Sequence, residues 1–140
     1  MDWLAFALIA TLSWGIAPIF AKLGLAKVDP LSGLALRTAS ALIVLAIIIF
    51  ATGSFKRVLS VPLRSAGFMI VEGIVSSLIG QLAFYYTLKL GGVSKAVPIT
   101  STYPLVTVIL ATLILGERMA VGRVCGSVLV VLGVFLIIKS

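Results

Sequence analysis

Charged residues divide this chain into long apolar stretches. Five of these carry no charge: 3–21, 38–55, 73–88, 96–116 and 124–138, which are 19, 18, 16, 21 and 15 residues long and total 89 of 140 residues. A helix needs about 20 mostly apolar residues to cross a hydrocarbon core about 30 Å thick, and each stretch approaches that length once its polar flanks are added. The pattern predicts five transmembrane helices at about 3–22, 31–52, 65–88, 95–115 and 120–138. The short connectors carry helix punctuation: Asp29 and Pro30, Gly53, Ser54 and Pro62, Gly91 and Gly92, and Gly116. Barrel strands would be about ten residues long with strict alternation, whereas these stretches are longer and apolar on every side. The expected fold is an all-α integral membrane protein, with residues 1–140 forming one five-helix domain.

Composition sharpens this. With 61% hydrophobic and 11% charged residues, against about 25% charged in a typical globular chain, the function must be carried out inside or across the bilayer. The first stretch reads as a retained helix and not a cleaved leader: Asp2 stands where a basic n-region belongs, and Pro18 and Lys22 follow where small cleavage-site residues would be expected. The single cysteine, Cys125, reads as a small hydrophobe.

The net charge of +7 does not mark a nucleic-acid surface, because the basic residues split across two membrane faces. Lys56, Arg57, Arg64, Arg118 and Arg123 fall on one side, and Lys22, Lys27, Lys89, Lys95 and Lys139 on the other, a tie at five each once Arg37, inside the second helix, is left out. Such a chain is oriented by other signals or by a partner, or it inserts both ways and pairs antiparallel. Oppositely inserted copies would reproduce the inverted-repeat architecture of many secondary transporters.

Charges inside the hydrocarbon are costly and are functional candidates. Arg37 falls about 9 Å below one face if its helix starts near residue 31, and Glu72 about 10 Å below the opposite face if its helix starts near residue 65. They differ by about 10 Å in depth within one copy, but reach nearly the same depth in an antiparallel pair. The expectation is that Arg37 and Glu72 of opposite copies approach each other; the alternative is that each neutralises a neighbour and orients the bundle. At 100° per residue, the third helix places Glu72, Ser76 and Tyr86 on one face and Ser77, Gln81 and Tyr85 on nearly the other. Gly73 and Gly80 let neighbouring backbones approach it. Gln81 and Tyr85 are the candidates for ligand contact on this helix.

The fourth helix contains Pro98 and Pro104, which deprive the Ser94 and Thr100 carbonyls of their donors beside the polar run Thr100 to Tyr103. Either a static kink or a weakened, moving helix fits this pattern, and Thr100 and Tyr103 are gating or binding candidates. On the first helix Thr11, Trp14, Gly15, Pro18 and Lys22 share a face. Trp14 and Lys22 there offer an aromatic wall and a cation, unless Lys22 snorkels to the headgroups. Gly122, Gly126 and Gly133 mark a packing face on the last helix. Glu117 is expected to complement the fifth helix's dipole and to meet Arg118 or Arg123.

With no histidine and only four carboxylates, no metal set and no nucleophile–base pair can be assembled, and no phosphate-binding glycine loop is present. No enzymatic activity, metal or cofactor is expected.

Ser13-Trp14-Gly15-Ile16-Ala17-Pro18-Ile19-Phe20-Ala21-Lys22, Pro30, Leu36-Arg37, Ala83-Phe84-Tyr85-Tyr86-Thr87-Leu88, Ala96-Val97-Pro98, Tyr103-Pro104-Leu105, Leu115-Gly116-Glu117, Gly126 and Gly133 follow one another in this order. Across nearly the whole chain they resemble one repeat of the drug/metabolite transporter superfamily, EamA type. Most members resemble two such five-helix repeats fused in inverted orientation around a central cavity. The resemblance here is to the small, single-repeat branch, which implies a half-transporter that must pair. It implies a bacterial or archaeal plasma-membrane protein that exports a small metabolite or drug-like solute by alternating access as a homodimer. A subunit of a heteromeric flippase or exporter, and a non-transporting membrane scaffold, are the alternatives.

Overall fold

A backbone surrounded by hydrocarbon must bond to itself, and the apolar stretches do so as helices. The computed structural model describes residues 3–117 and 120–139; Asp2 and Arg118, both used above, lie outside the described residues. Five helical spans are long and apolar enough to cross a membrane: Trp3–Leu25, Pro30–Ala51, Leu63–Leu90, Val93–Leu115 and Val121–Lys139. The expected all-α membrane fold is thus found, with no strand among the described residues.

The spans are built from α1 (Trp3–Leu25), α2 (Pro30–Ala51), α4 (Leu63–Glu72), α5 (Gln81–Leu90), α6 (Val93–Thr100), α7 (Tyr103–Leu115) and α8 (Val121–Lys139), and a short α3 (Phe55–Leu59) lies in the second connector. The connector helix was not expected from the sequence. It carries Lys56 and Arg57 beside Phe55, Val58 and Leu59, and Phe55 stacks on Phe50 of α2 with centroids 5.8 Å apart.

The described chain divides into two compact units, residues 1–90 and 91–140. In the first, α1, α2 and α5 pack together. Its core is a small junction, formed by Leu25 at the end of α1, Pro30 and Leu34 at the start of α2, and Tyr85 and Leu88 in α5, with Pro18 also buried. Away from this junction the helices present apolar side chains outward, such as Leu12, Ile43 and Phe50. Water would penalise such faces and lipid does not. In the second unit α6 and α7 each pack on α8, around buried Ala96, Ser127 and Val134.

Local chemistry sets the helix ends. Asp29 caps α2 by accepting from the Ser32 amide at 3.0 Å, and Pro30 occupies the first turn, where its missing N–H costs nothing. Hydrogen bonds from Ser32, side chain first and then amide, hold the Asp29 carboxyl below its ordinary range. Gly116 ends α7 at φ 67°, a left-handed conformation that a side chain would strain.

The third span departs from the regular helix expected over 65–88. Between α4 and α5 residues Gly73–Gly80 wind as a π-helix, so the Gln81 N–H reaches the Ser76 carbonyl five residues back. A Cβ on Gly80 would stand 3.3 Å from the Val75 carbonyl, so glycine suits the tight inner side of this wide turn. The face assignments made at 100° per residue therefore do not carry across residues 73–80.

Candidate functional site

The junction of the first unit is tied by two lysines. Leu88 lies in the last turn of α5, where carbonyls have no partner further along the helix, and the Lys22 ammonium from α1 donates to the Leu88 carbonyl. Lys89, at the same helix end, donates to the Val28 carbonyl in the α1–α2 connector at 2.8 Å. Both cations sit where the negative end of the α5 dipole favours them. Lys22 is thus placed on a helix end rather than on the face it shares with Trp14, which is 68% exposed.

Gly33 completes the junction. A Cβ there would stand 3.0 Å from the Leu25 Cδ2 atom and 3.6 Å from the Tyr85 ring, so α2 approaches α1 and α5 only because this position lacks a side chain. Nothing in the sequence separated Gly33 from the chain's other glycines, and it was absent from the expected site.

Above this contact a cleft of about 460 Å³ opens, walled by α1 residues including Phe20 and Gly24, by α2 residues Gly33, Leu36 and Arg37, and by Tyr85 of α5. It brings two expected site residues together, Arg37 and Tyr85, and adds Phe20, which the sequence did not single out. Arg37 lies seven residues into α2, about 10 Å along its axis. Its guanidinium makes no ion pair or hydrogen bond among the described residues.

The other expected residues lie elsewhere. Glu72 ends α4 at the start of the π segment, and its carboxylate accepts from the Ser76 hydroxyl at 2.6 Å. Ser77 lies 3.5 Å from Ser76, oxygen to oxygen. Gln81 opens α5 and is half-buried. No bond joins Arg37 to Glu72 within the described chain.

In the second unit the two-proline span is interrupted. α6 ends at Thr100, Ser101 and Thr102 form a turn, and α7 begins at Tyr103 with Pro104 in its first turn. The hydroxyls turn back onto their own helix: Thr100 to the Ala96 and Val97 carbonyls, both at 3.0 Å, Ser101 to Val97 at 2.8 Å and Thr102 to Ile99 at 2.8 Å. Tyr103 is 59% exposed. Pro98 stays inside α6, and α1 runs through Pro18 without interruption. Glu117 meets Arg123 at 3.3 Å, one of the two partners expected for it. A Cβ at Gly122, Gly126 or Gly133 would touch nothing within 4 Å, so these glycines mark no close packing within their own unit. Among the described residues no group of His, Cys, Asp and Glu could hold a metal ion.

The chain thus combines five apolar spans, two of them irregular, with an arginine-bearing cleft in the first unit, and comparison with known proteins bears on its family. The model of the EamA-like transporter family matches residues 1–139. An uncharacterized transporter from Sinorhizobium sp is 27% identical over 97% of this chain and 96% of its own length. An uncharacterized protein of Methanocaldococcus jannaschii is 25% identical over 93% and 91%. An uncharacterized transporter from Archaeoglobus fulgidus is 28% identical over 98% of this chain, which spans only 49% of that relative. No solved structure matches. This chain, a multi-pass membrane protein, belongs to the EamA-like transporter family.

Proposed function

We propose that the chain is half of a secondary transporter that moves a small solute by alternating access, as a pair of oppositely inserted copies in a bacterial or archaeal plasma membrane. The observation that carries this reading is the pair of relative lengths. Nearly the whole chain aligns with a relative of its own size, and nearly the whole chain also aligns with about half of another. One repeat working in duplicate accounts for both. Export is the direction the family resemblance implies.

The antiparallel arrangement draws support from the five-to-five split of basic residues and from depth. Arg37 lies about 10 Å along α2 from Pro30, and Glu72 about 14 Å along the third span from Leu63; if each span crosses the membrane once, those two ends fall on opposite faces. Opposite insertion brings the two charges to similar depth, where the partner copy's carboxylate can neutralise Arg37 between substrate cycles.

A reporter active on only one side of the membrane, fused to either terminus in separate chains expressed alone, tests the arrangement. Each terminus should report on both sides in comparable amounts. A single side for each terminus overturns the inverted homodimer and directs the search to a partner chain supplying the other half. Vesicle flux tests transport itself: Arg37→Glu and Glu72→Arg should each abolish flux, and the double exchange should recover part of it.

A further inference from the structure

We propose that the cleft between α1 and α2 binds a small organic anion, with one carboxylate or an anionic group of similar size on a compact aromatic or apolar body. The charge comes first. The Arg37 guanidinium, a planar fork of donors that matches a carboxylate, is held about 10 Å into a 22-residue span. Among the described residues no carboxylate pairs with it: Asp29 caps α2, and Glu72 accepts from Ser76. The one ion pair among the described residues, Arg123 with Glu117, belongs to the other unit. A guanidinium with no carboxylate partner among the described residues of its own copy makes the cleft selective for negative ligands.

The number of charges follows from Lys22. Its ammonium is spent on the Leu88 carbonyl, so the cleft offers one cation, which suits a monoanion better than a diphosphate or a dicarboxylate. Body and size follow from the walls. Phe20, Leu36 and Tyr85 supply aromatic and aliphatic faces, and Gly24 leaves open floor, since a Cβ there would meet nothing within 4 Å. About 460 Å³ lies within the range of small-molecule pockets, roughly 300–1,000 Å³. Depth separates a dissolved anion from a lipid headgroup. In a core about 30 Å thick, a group about 10 Å in lies well below the phosphates.

The assignment treats the cleft as the transporter's substrate site and so rests on the reading above; binding is therefore measured apart from flux. The probe is radiolabelled benzoate, titrated onto the full chain in nanodiscs of phosphatidylcholine, with benzamide and benzylamine as neutral and cationic competitors. Saturable benzoate binding that neither competitor displaces is expected. Arg37→Gln should weaken it by about tenfold or more, and Arg37→Lys should restore part of the loss. Gly24→Leu, whose side chain enters open space, should abolish binding while the chain stays folded. Absence of saturable benzoate binding, equal binding of benzamide, or unchanged affinity in Arg37→Gln overturns the proposal. Loss of benzoate binding when phosphatidylglycerol is added to the nanodiscs also overturns it, by making a lipid headgroup the occupant. Arg37-dependent binding without vesicle flux upholds the anion site and overturns the transport reading alone.

Discussion

The α1–α2–α5 junction and the broken α6–α7 span must both satisfy backbone carbonyls in an apolar medium, and they find their donors at very different distances along the chain. At the junction the donors come from afar. Lys22 serves Leu88, 66 residues on, and Lys89 serves Val28, 61 residues back. In the broken span the donors are hydroxyls three or four residues away on the same helix. Long-range donors tie separate helices together, so any loss is felt by all three. Local donors tie the break only to itself, and they add to the Ala96, Val97 and Ile99 carbonyls, whereas Pro98 and Pro104 withhold an amide from the Ser94 and Thr100 carbonyls. A transporter needs both a fixed corner against which other parts move and a span that is bonded only locally and so is able to bend.

Four substitutions would break or sharpen this contrast, each measured as equilibrium unfolding in mixed micelles. Gly33→Leu should cost the most, about 3 kcal/mol, because a Cβ already stands 3.0 Å from Leu25 and the added carbons must displace it or Tyr85. Leu88→Ala should follow at about 2 kcal/mol: Leu88 is fully buried, but lipid receives an apolar side chain as readily as protein does, so the loss is mostly the cavity. Lys22→Met keeps the chain length and removes the charged donor, for about 1.5 kcal/mol. Ser101→Ala in the broken span should cost about 0.5 kcal/mol or less, since the Val97 carbonyl still accepts from the Ser101 amide and the Thr100 hydroxyl. A Ser101→Ala cost equal to that of Lys22→Met would erase the distinction between tied and locally bonded regions.

The same contrast explains what the amino-acid order could reveal. Spans, their ends and the weakness at Pro98 and Pro104 were legible because each rests on composition or on a residue with a fixed backbone preference. Arg37 was legible because a charge in an apolar run stands out. The junction was not. Leu25, Leu34 and Leu88 look like any other leucine in a membrane stretch, and the partners of Lys22 and Lys89 are carbonyls, which every residue has. The role of Gly33 depends on a neighbour more than 50 residues away, Tyr85. The π winding of residues 73–80 depends on which carbonyl each amide chooses, and the choice changed the faces expected for Ser76, Ser77 and Gln81.

That winding also bears on how the chain tolerates change in length. With bonds closed five residues back, the eight residues Gly73–Gly80 turn the chain through roughly the angle that seven would in an α-helix. Loss of one residue there could be absorbed by rewinding, leaving α4 and α5 in their present rotational relation. The same loss inside α5 would turn everything beyond it by about 100° and carry Tyr85 or Leu88 out of the junction. Within the third span, residues 73–80 are therefore where a shorter relative could lose a residue and keep the corner intact.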